Sequence, residues 1–407
     1  MSPAGETPAA AASNRPHWEV ADVFRSFGED YRRVHPLPWL HRQVMHDIEV
    51  CRTAVLGGHL QQCDCCDFQR PCYNSCRNRH CPKCGSLQKA RWLDQRQAEL
   101  LPVGYFHLVF TLPHELNPLI LANKKVLLSL LFQAVAHTLL DFGRTHLGGQ
   151  LGFLAVLHTW DQTLGPHFHL HCLIPGGALS FDHAHWIWAR DNFLFHVKAL
   201  SRVFRGKFLE GLGQASTDGR LHFAGSASSL ATPESYASLI ESLRKKDWNV
   251  YAKKPFSTPQ KVLDYLGRYT HRVALSNHRL TSVENAQVTF TYRDRKTGNS
   301  RKSITLAAEE FIRRFLLHVL PNGFMRIRHF GFLANRSKKQ TLSRCRQLLG
   351  VPVPPTNPAP KSALELMREL TGVDFSRCPL CHRGTLIVIQ ILPAAAPSPL
   401  VPRMDSS

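Results

Sequence analysis

Hydrophobic and polar positions change period along this chain, and each change marks an element. Three runs, "YFHLVFTL" from Tyr105, "GFLAVLHTW" from Gly152 and "FHLHCLI" from Phe168, are short, apolar or β-branched, and bounded by Gly, Pro or Asp. That pattern predicts strands. Between the first two, "KVLLSLLFQAVAHTLLDF" (Lys125 to Phe142) is interrupted by Ser129, Gln133, His137 and Thr138. It predicts a buried amphipathic helix rather than a bilayer span, which needs ~20 nearly uninterrupted apolar residues. Helices are also expected over "LQKARWLDQRQAELL", over "AEEFIRRFLLHVL", and over "STPQKVLDYLGRYTHRVA", where Ser257 or Thr258 can cap and Pro259 suits a first turn. "QVTFTYRDRKTGNSRKSITL" reads as a hairpin turning at Thr297, Gly298 and Asn299.

These elements group into a disordered leader (1–15), a cysteine-rich domain (16–100), a mixed domain (101–349) and a C-terminal part (350–407). The last holds the proline-rich "VPVPPTNPAPKSA" and a small cysteine element, "RCPLCHRGTL". No internal repeat is visible. The formal charge of +20 favours a polyanionic partner, nucleic acid before a membrane surface. The N-terminus lacks the basic start and apolar core of a signal peptide, so a cytoplasmic protein without membrane attachment is expected.

Eight of the twelve cysteines lie between Cys51 and Cys84. In a reducing compartment such crowding means metal rather than disulfides. Cys63 and Cys66 form one C-x-x-C, Cys81 and Cys84 another, and two such knuckles complete a tetrahedral thiolate site for Zn²⁺. Cys51, His59, Cys65, Cys72, Cys76 and His80 remain, enough for a second zinc on Cys76 and His80 with Cys51 or His59. Arg77, Arg79 and Lys83 interleave with these ligands, where a metal-ordered loop could offer them to phosphates. Cys378 and Cys381 are half a site that must borrow ligands, from His382, Cys345 or another part of the fold, or remain metal-free.

In "GPHFHLHCLIPGG", His169 and His171 stand at i and i+2, so a strand presents both imidazoles on one face with Leu170 behind. That is a bidentate grip on a divalent cation. His158 on the preceding run and His167 compete as a third ligand, and the choice depends on strand register. In "DYLGRYTHR", Tyr265 and Tyr269 are four apart and share a helix face, with Arg268, His271 and Arg272 close by. Phenolic oxygens among such cations suit an approach to phosphate.

Several long motifs, in order, then resemble a known family. "GGH…CDCC…YNSCRNRHCPKC", "YFHLVFTLPHELN", "LHTWDQTLGPHFHLHCLIPGGAL", "KPFSTPQKVLDYLGRYTHRVALSNHRL" and "FLLHVLPNGFMRIRHFGFLAN" are similar to the two-tyrosine HUH transposases of rolling-circle insertion sequences, the insertion-sequence-91 family. Phe168 departs from the proline that often precedes the histidine pair. The resemblance implies an α+β chain: a ferredoxin-like antiparallel HUH-endonuclease sheet with helices, preceded by a small zinc-binding domain. It implies Mg²⁺ or Mn²⁺ on His169 and His171, nucleophilic attack by Tyr265 or Tyr269, and a 5′-phosphotyrosine intermediate. Arg268, His271 and Arg272 would contact substrate phosphates. The zinc domain would recognise single-stranded or hairpin DNA at element ends, and target DNA would be a second substrate. A replication initiator with the same chemistry, and a zinc-dependent DNA-binding protein without catalysis, stand as alternatives.

Overall fold

The computed structural model describes residues 16–256, 261, 262, 265, 267, 273–294, 297–352 and 361–395. The leader, Tyr269, Arg268, His271 and Arg272 lie outside them. The described strands, in chain order, begin with β1 (Gly58–Cys63), β2 (Gln69–Tyr73), β3 (Tyr105–Thr111), β4 (Gly152–Trp160) and β5 (Pro166–Pro175). They continue with β6 (Gly177–Leu179), β7 (Trp186–Trp188), β8 (Val250–Phe256) and β9 (Leu280–Glu284). The last four are β10 (Gln287–Asp294), β11 (Ser300–Ala307), β12 (Ile327–Gly331) and β13 (Leu386–Leu392).

The central sheet runs β12-β4-β5-β3-β8, with every pair antiparallel. A helix over Lys124–Phe142 links β3 to β4, and another over Val197–Thr217 lies between β5 and β8. This β-α-β-β-α-β order, with β3 and β5 in the middle, is the ferredoxin-like arrangement; β12 extends it at the β4 edge. The expected α+β class and antiparallel sheet are therefore what the chain adopts.

Strand alternation divides the sheet into two faces. Phe106, Leu108 and Phe110, then Phe153, Ala155 and Leu157, then Phe168, Leu170 and Cys172 join the main core with Leu131, Phe132 and Val135 of the first helix and Phe204 and Phe208 of the second. Each such large side chain contributes about 1.5–3 kcal/mol when fully buried. The Lys124–Leu147 stretch is long and apolar enough to cross a membrane, yet most of it is buried here, as expected of a core helix. The opposite face carries Leu154, Val156 and Leu173, which pack under Trp92, Leu93, Val262 and Leu342, and beside them the histidines.

A second core joins the N-terminal helices Val20–Val34 and Trp39–Glu49 to the β9–β11 sheet and the Ala308–Leu317 helix. The expected hairpin is present, paired from Gln287↔Ala307 to Asp294↔Ser300. Cys51, Cys81 and Cys84 are part of this second core. The C-terminal cysteine element, set apart in the sequence by the proline-rich stretch, is built into the N-terminal module: β13 pairs with β1 from Gly58↔Leu392 to Cys63↔Leu386.

Candidate functional site

Asp161 fixes the turn between β4 and β5. Its Oδ1 accepts from the Thr163 and Gly165 backbone N–H groups, both at 2.8 Å. The register that follows sets His158 directly opposite His169. His158, His169 and His171 are all buried, and each offers a ring nitrogen within 4.8 Å of the others. His158 is thus the third member of the cluster. His167 is not, although its ring lies 4.6 Å from that of His169. It is His167's carbonyl oxygen that contributes, accepting from His169 Nδ1 at 2.9 Å. With Nδ1 carrying that proton, His169 keeps its Nε2 lone pair for a cation.

The tyrosine segment closes over this face. Lys261, Val262, Tyr265 and Gly267 are helical, and the segment rests on the helix Gly85–Gln97. A Cβ at Gly267 would come within 3.1 Å of both Leu93 Cδ1 and Lys89 Cε, so any larger residue there would make those side chains give way. Tyr265 packs on Phe256 at 5.0 Å and on His107 at 4.4 Å, ring to ring. Its hydroxyl is 2.9 Å from His171 Nδ1 and also hydrogen-bonds His107 Nε2. His107 Nε2 is itself 3.0 Å from His171 Nδ1. One set of tautomers satisfies the contacts: His171 Nδ1–H donates to the phenolic oxygen, and Tyr265 O–H donates to His107 Nε2. Burial, with Lys253 nearby, pushes His107 down to about 4, which keeps its acceptor nitrogen unprotonated at neutral pH.

His107 was missed as a site residue in the sequence. The signal was present: in "YFHLVFT" the apolar Phe106, Leu108 and Phe110 mark one face, and an imidazole sits on the other. Only the β3–β5 pairing, Val109↔His171, reveals what that imidazole faces.

The cysteines assemble differently from their spacing. Cys63–Cys66 and Cys81–Cys84 do not share a site. Cys63 and Cys66 meet Cys378 and Cys381, while Cys81 and Cys84 meet Cys51 and Cys76. Sulfur separations are 3.7 Å for Cys63–Cys381 and for Cys66–Cys378, 3.5 Å for Cys51–Cys84 and 3.6 Å for Cys76–Cys84. A tetrahedral zinc with Zn–S bonds of about 2.3 Å has sulfurs about 3.8 Å apart, so both clusters fit Zn²⁺. Backbone N–H groups point at the sulfurs as they would at thiolates, from Cys65 to Cys63, Leu380 to Cys378 and Gly384 to Cys381, each at 3.4 Å. The Gly384 and Arg383 amides hold Cys381 down to about 6. Gly384 also has no room for a side chain, since a Cβ would come 2.4 Å from Cys63 Sγ.

His80, expected with Cys76 as a ligand, is not in either cluster. It lines a cleft with Arg79, Trp160, His318 and Arg326, where burial and those surrounding cations push it down to about 3. Arg79 points inward, donating to the carbonyl oxygens of Leu320 (3.2 Å), Pro321 (2.8 Å) and Phe324 (2.6 Å). It therefore ties the cysteine loop to the segment before β12. Arg77 is exposed.

Residues 152–341 match a protein family described as "Putative transposase", and residues 23–112 match a "Transposase zinc-binding domain". "Putative transposase y4qJ" of Sinorhizobium fredii (strain NBRC 101917 / NGR234) is 49% identical over 378 residues, covering 92% of this chain and 95% of that protein. "Transposase for insertion sequence element IS801" of Pseudomonas savastanoi pv. phaseolicola is 30% identical over 350 residues, 83% of this chain and 82% of its own. Among solved structures, the conjugative relaxase TrwC in complex with oriT DNA aligns over 61% of this chain and 72% of that one. Its identity is 12% and its TM-score 0.22, a likeness too distant to bear on the site.

Proposed function

The chain belongs to the transposases of the IS91 and IS801 type, enzymes that act on DNA and carry a zinc-binding domain, and from that premise we propose that it nicks and rejoins single-stranded DNA at element ends through a 5′-phosphotyrosine. The observation that carries the proposal is the Tyr265 hydroxyl, 2.9 Å from a histidine of a three-histidine cluster. A nucleophile beside a cation-binding group is the minimum apparatus for transesterification at phosphorus.

His158, His169 and His171 would hold the divalent cation. An all-imidazole set suits Mn²⁺ better than the harder Mg²⁺. When bound, it would supply Lewis-acid polarisation of the scissile phosphate and offset the charge that develops on the leaving oxygen. The protein's own groups do the rest. Tyr265 oxygen forms a bond to phosphorus as the bond to the 3′ oxygen breaks. The phenolic proton departs along the hydrogen bond to His107 Nε2, and the released 3′ oxygen takes up a proton to become a hydroxyl. The tyrosyl phosphodiester keeps the bond energy, so attack by a 3′-hydroxyl rejoins strands without a nucleotide cofactor. Tyr269 would provide a second acceptor for a second transfer, and Arg268, His271 and Arg272 would contact the substrate phosphates.

Both cysteine clusters would bind Zn²⁺, one fastening the loop that carries Arg77 and Arg79, the other joining β13 to β1. The module they stiffen would read single-stranded or hairpin element ends, and target DNA would enter the same site for joining.

The direct test is incubation with single-stranded element-end oligonucleotides and Mn²⁺, followed by denaturing electrophoresis. A protein–DNA adduct is expected; hydrolysis products with no adduct at any time would exclude the tyrosyl intermediate. The cluster makes a finer prediction. His158→Ala should raise the Mn²⁺ concentration for half-maximal nicking by about 10–100-fold, the scale of lost ligand support. His167→Ala should change it by less than about threefold, because its backbone carbonyl is retained. Equal sensitivity of the two variants would remove His158 from the ligand set.

A further inference from the structure

Strand β8 carries side chains that the chemistry described so far leaves unused. Its alternation is set by the core: Val250 joins Phe110 and Phe204 in the main cluster, so Tyr251 takes the opposite face, the one that holds the histidines. Cross-strand pairing then places it. Val109 pairs with Tyr251 on one side and with His171 on the other. His171 pairs in turn with Val156, and Val156 with Ile327. One row of side chains therefore crosses the whole sheet as Ile327–Val156–His171–Val109–Tyr251. Two inter-strand spacings of about 4.8 Å put the Tyr251 Cα about 10 Å from that of His171.

The row is closed at one end and open at the other. Val156 is 3% exposed in the cluster that includes Leu93, Val262 and Leu342, and Ile327 packs against the same cluster. His171 is 9% exposed, Val109 is half-buried, and Tyr251 is 54% exposed. β8 is the outer strand of its sheet. A DNA strand with its scissile phosphate at His171 and Tyr265 meets packed side chains toward β12 and an open shelf over Val109 toward Tyr251.

The neighbouring row supplies a cation. His107 pairs with Lys253, which is exposed and holds its Nζ 5.6 Å from the centroid of the Phe256 ring. Phe256 is the ring that packs on Tyr265. Tyr251, Lys253 and Phe256 thus share one face, with the register shift between Tyr105 and His107 absorbing the odd spacing. An exposed aromatic ring beside an exposed ammonium, at the rim of a buried histidine cluster, offers what a single strand of nucleic acid needs: a π-face for a base and a positive charge for the phosphate next to it.

We infer that Tyr251 is a base-stacking site for the single-stranded DNA that flanks the scissile phosphate, with Lys253 holding the adjoining backbone phosphate. The inference rests on the DNA-cleaving function proposed above and adds a substrate contact away from the reacting atoms. Tyr251 positions the strand and does not attack it. Stacking on a ring is tolerant of base identity but requires an unstacked base. The site would therefore favour single-stranded over duplex DNA without reading its sequence.

The test uses the full-length, zinc-loaded protein, without added Mn²⁺ so that the strand stays intact. Anisotropy is recorded over a range of salt concentrations with two fluorescein-labelled 20-mers, oligothymidylate and the same backbone carrying abasic sites throughout. Tyr251→Ala should weaken oligothymidylate binding about tenfold, within the range for one lost stacking partner. The slope of log Kd against log salt should not change, since no charge is removed. Tyr251→Phe keeps the ring and should stay within about twofold of wild type. On the abasic strand, wild type and both variants should agree within about twofold. Lys253→Gln should instead reduce the slope by about 0.7 with either oligonucleotide, one released counterion on a single strand. Tyr251→Leu takes the place of Tyr251→Ala if the latter does not fold, as judged by Tm and zinc content.

Wild-type oligothymidylate affinity in folded Tyr251→Ala would overturn the inference. So would an equal loss on the abasic strand, which would make the ring structural, or a Tyr251→Phe protein as weak as Tyr251→Ala, which would assign the contact to the hydroxyl. An unchanged slope in Lys253→Gln would remove the phosphate contact. Adduct formation with Mn²⁺ separates this inference from the cleavage proposal, and Tyr251→Phe should keep the wild-type yield. Tyr251-dependent binding without any wild-type adduct would sink the cleavage chemistry and keep the stacking site; full adduct yield and unchanged affinity in Tyr251→Ala would do the reverse.

Discussion

Tyr265→Phe is expected to abolish covalent capture of a single-stranded element end, lowering adduct formation by at least about 10³-fold while leaving DNA affinity within about threefold of wild type. The substitution removes one oxygen and keeps the ring that packs on Phe256 and His107, so the segment should stay seated. Its neighbour gives a graded comparison. His107→Gln, which can still fill the space but lacks the imidazole acceptor, should slow the single-turnover step by about 10–100-fold, the lower part of the range for assisted proton transfer. Mn²⁺ dependence should be little changed in that variant. Single-turnover kinetics at saturating DNA distinguish the effects: a Tyr265→Phe protein with wild-type adduct yield would remove Tyr265 from the chemistry. Equal loss of Mn²⁺ affinity in His107→Gln and His158→Ala would instead make His107 a ligand.

The second large effect concerns the cysteines. Cys63→Ser/Cys81→Ser should lose two zinc ions per chain, whereas Cys63→Ser/Cys378→Ser should lose one. If the two C-x-x-C pairs shared a site, the outcomes would be the opposite. Structural zinc contributes apparent binding free energies of about 10–16 kcal/mol, and the Cys51 cluster is embedded in the second core with Phe24, Met45 and Phe311. Cys81→Ser should therefore unfold the N-terminal helices from the β9–β11 sheet. Cys378→Ser should loosen β13 from β1 and leave that core intact. Metal analysis by mass spectrometry, read beside hydrogen exchange of the two regions, checks both statements. Retention of one zinc ion by the Cys63→Ser/Cys81→Ser protein would refute the partition.

These expectations also mark where the sequence was informative. The histidine strand was legible because a period of two is local: Leu170 and Cys172 had to face the core, so His169 and His171 had to share the other side. The β4–β5 connection is short, which is why His158 could be named as a competing third ligand before its register was known. The hairpin over β10 and β11 was legible for the same reason, with alternating runs around a Gly-containing turn.

Failures came where the deciding partner is distant in the chain. Each C-x-x-C pair was recognised as half a site, but regular spacing made two adjacent halves look like one whole. Cys63 reaches across 318 positions to Cys381 because β13 returns to pair with β1, and nothing local encodes that return. Cys51 was named as a possible partner of Cys76 but not of Cys81, because it lies outside any short motif, just past the helix Trp39–Glu49. Arg79 was expected to be offered to phosphate by a metal-ordered loop. It instead donates to carbonyls some 240 residues away. His107 was hidden because alternation shows only which face a lone histidine takes, while the β3–β5 pairing decides what it meets there.

The central claim is that a tyrosine beside the three-histidine cluster becomes covalently joined to DNA. The most direct measurement is tandem mass spectrometry of the nucleotide-bearing peptide, isolated after wild-type protein is incubated with a single-stranded element end and Mn²⁺, then digested with nuclease and protease. The predicted result is a 5′-phosphonucleotide on Tyr265, accompanied by an oligonucleotide ending in a free 3′-hydroxyl. A cleaved oligonucleotide carrying a 5′-phosphate with no modified peptide, or a nucleotide attached to any residue away from this face of the sheet, would contradict it.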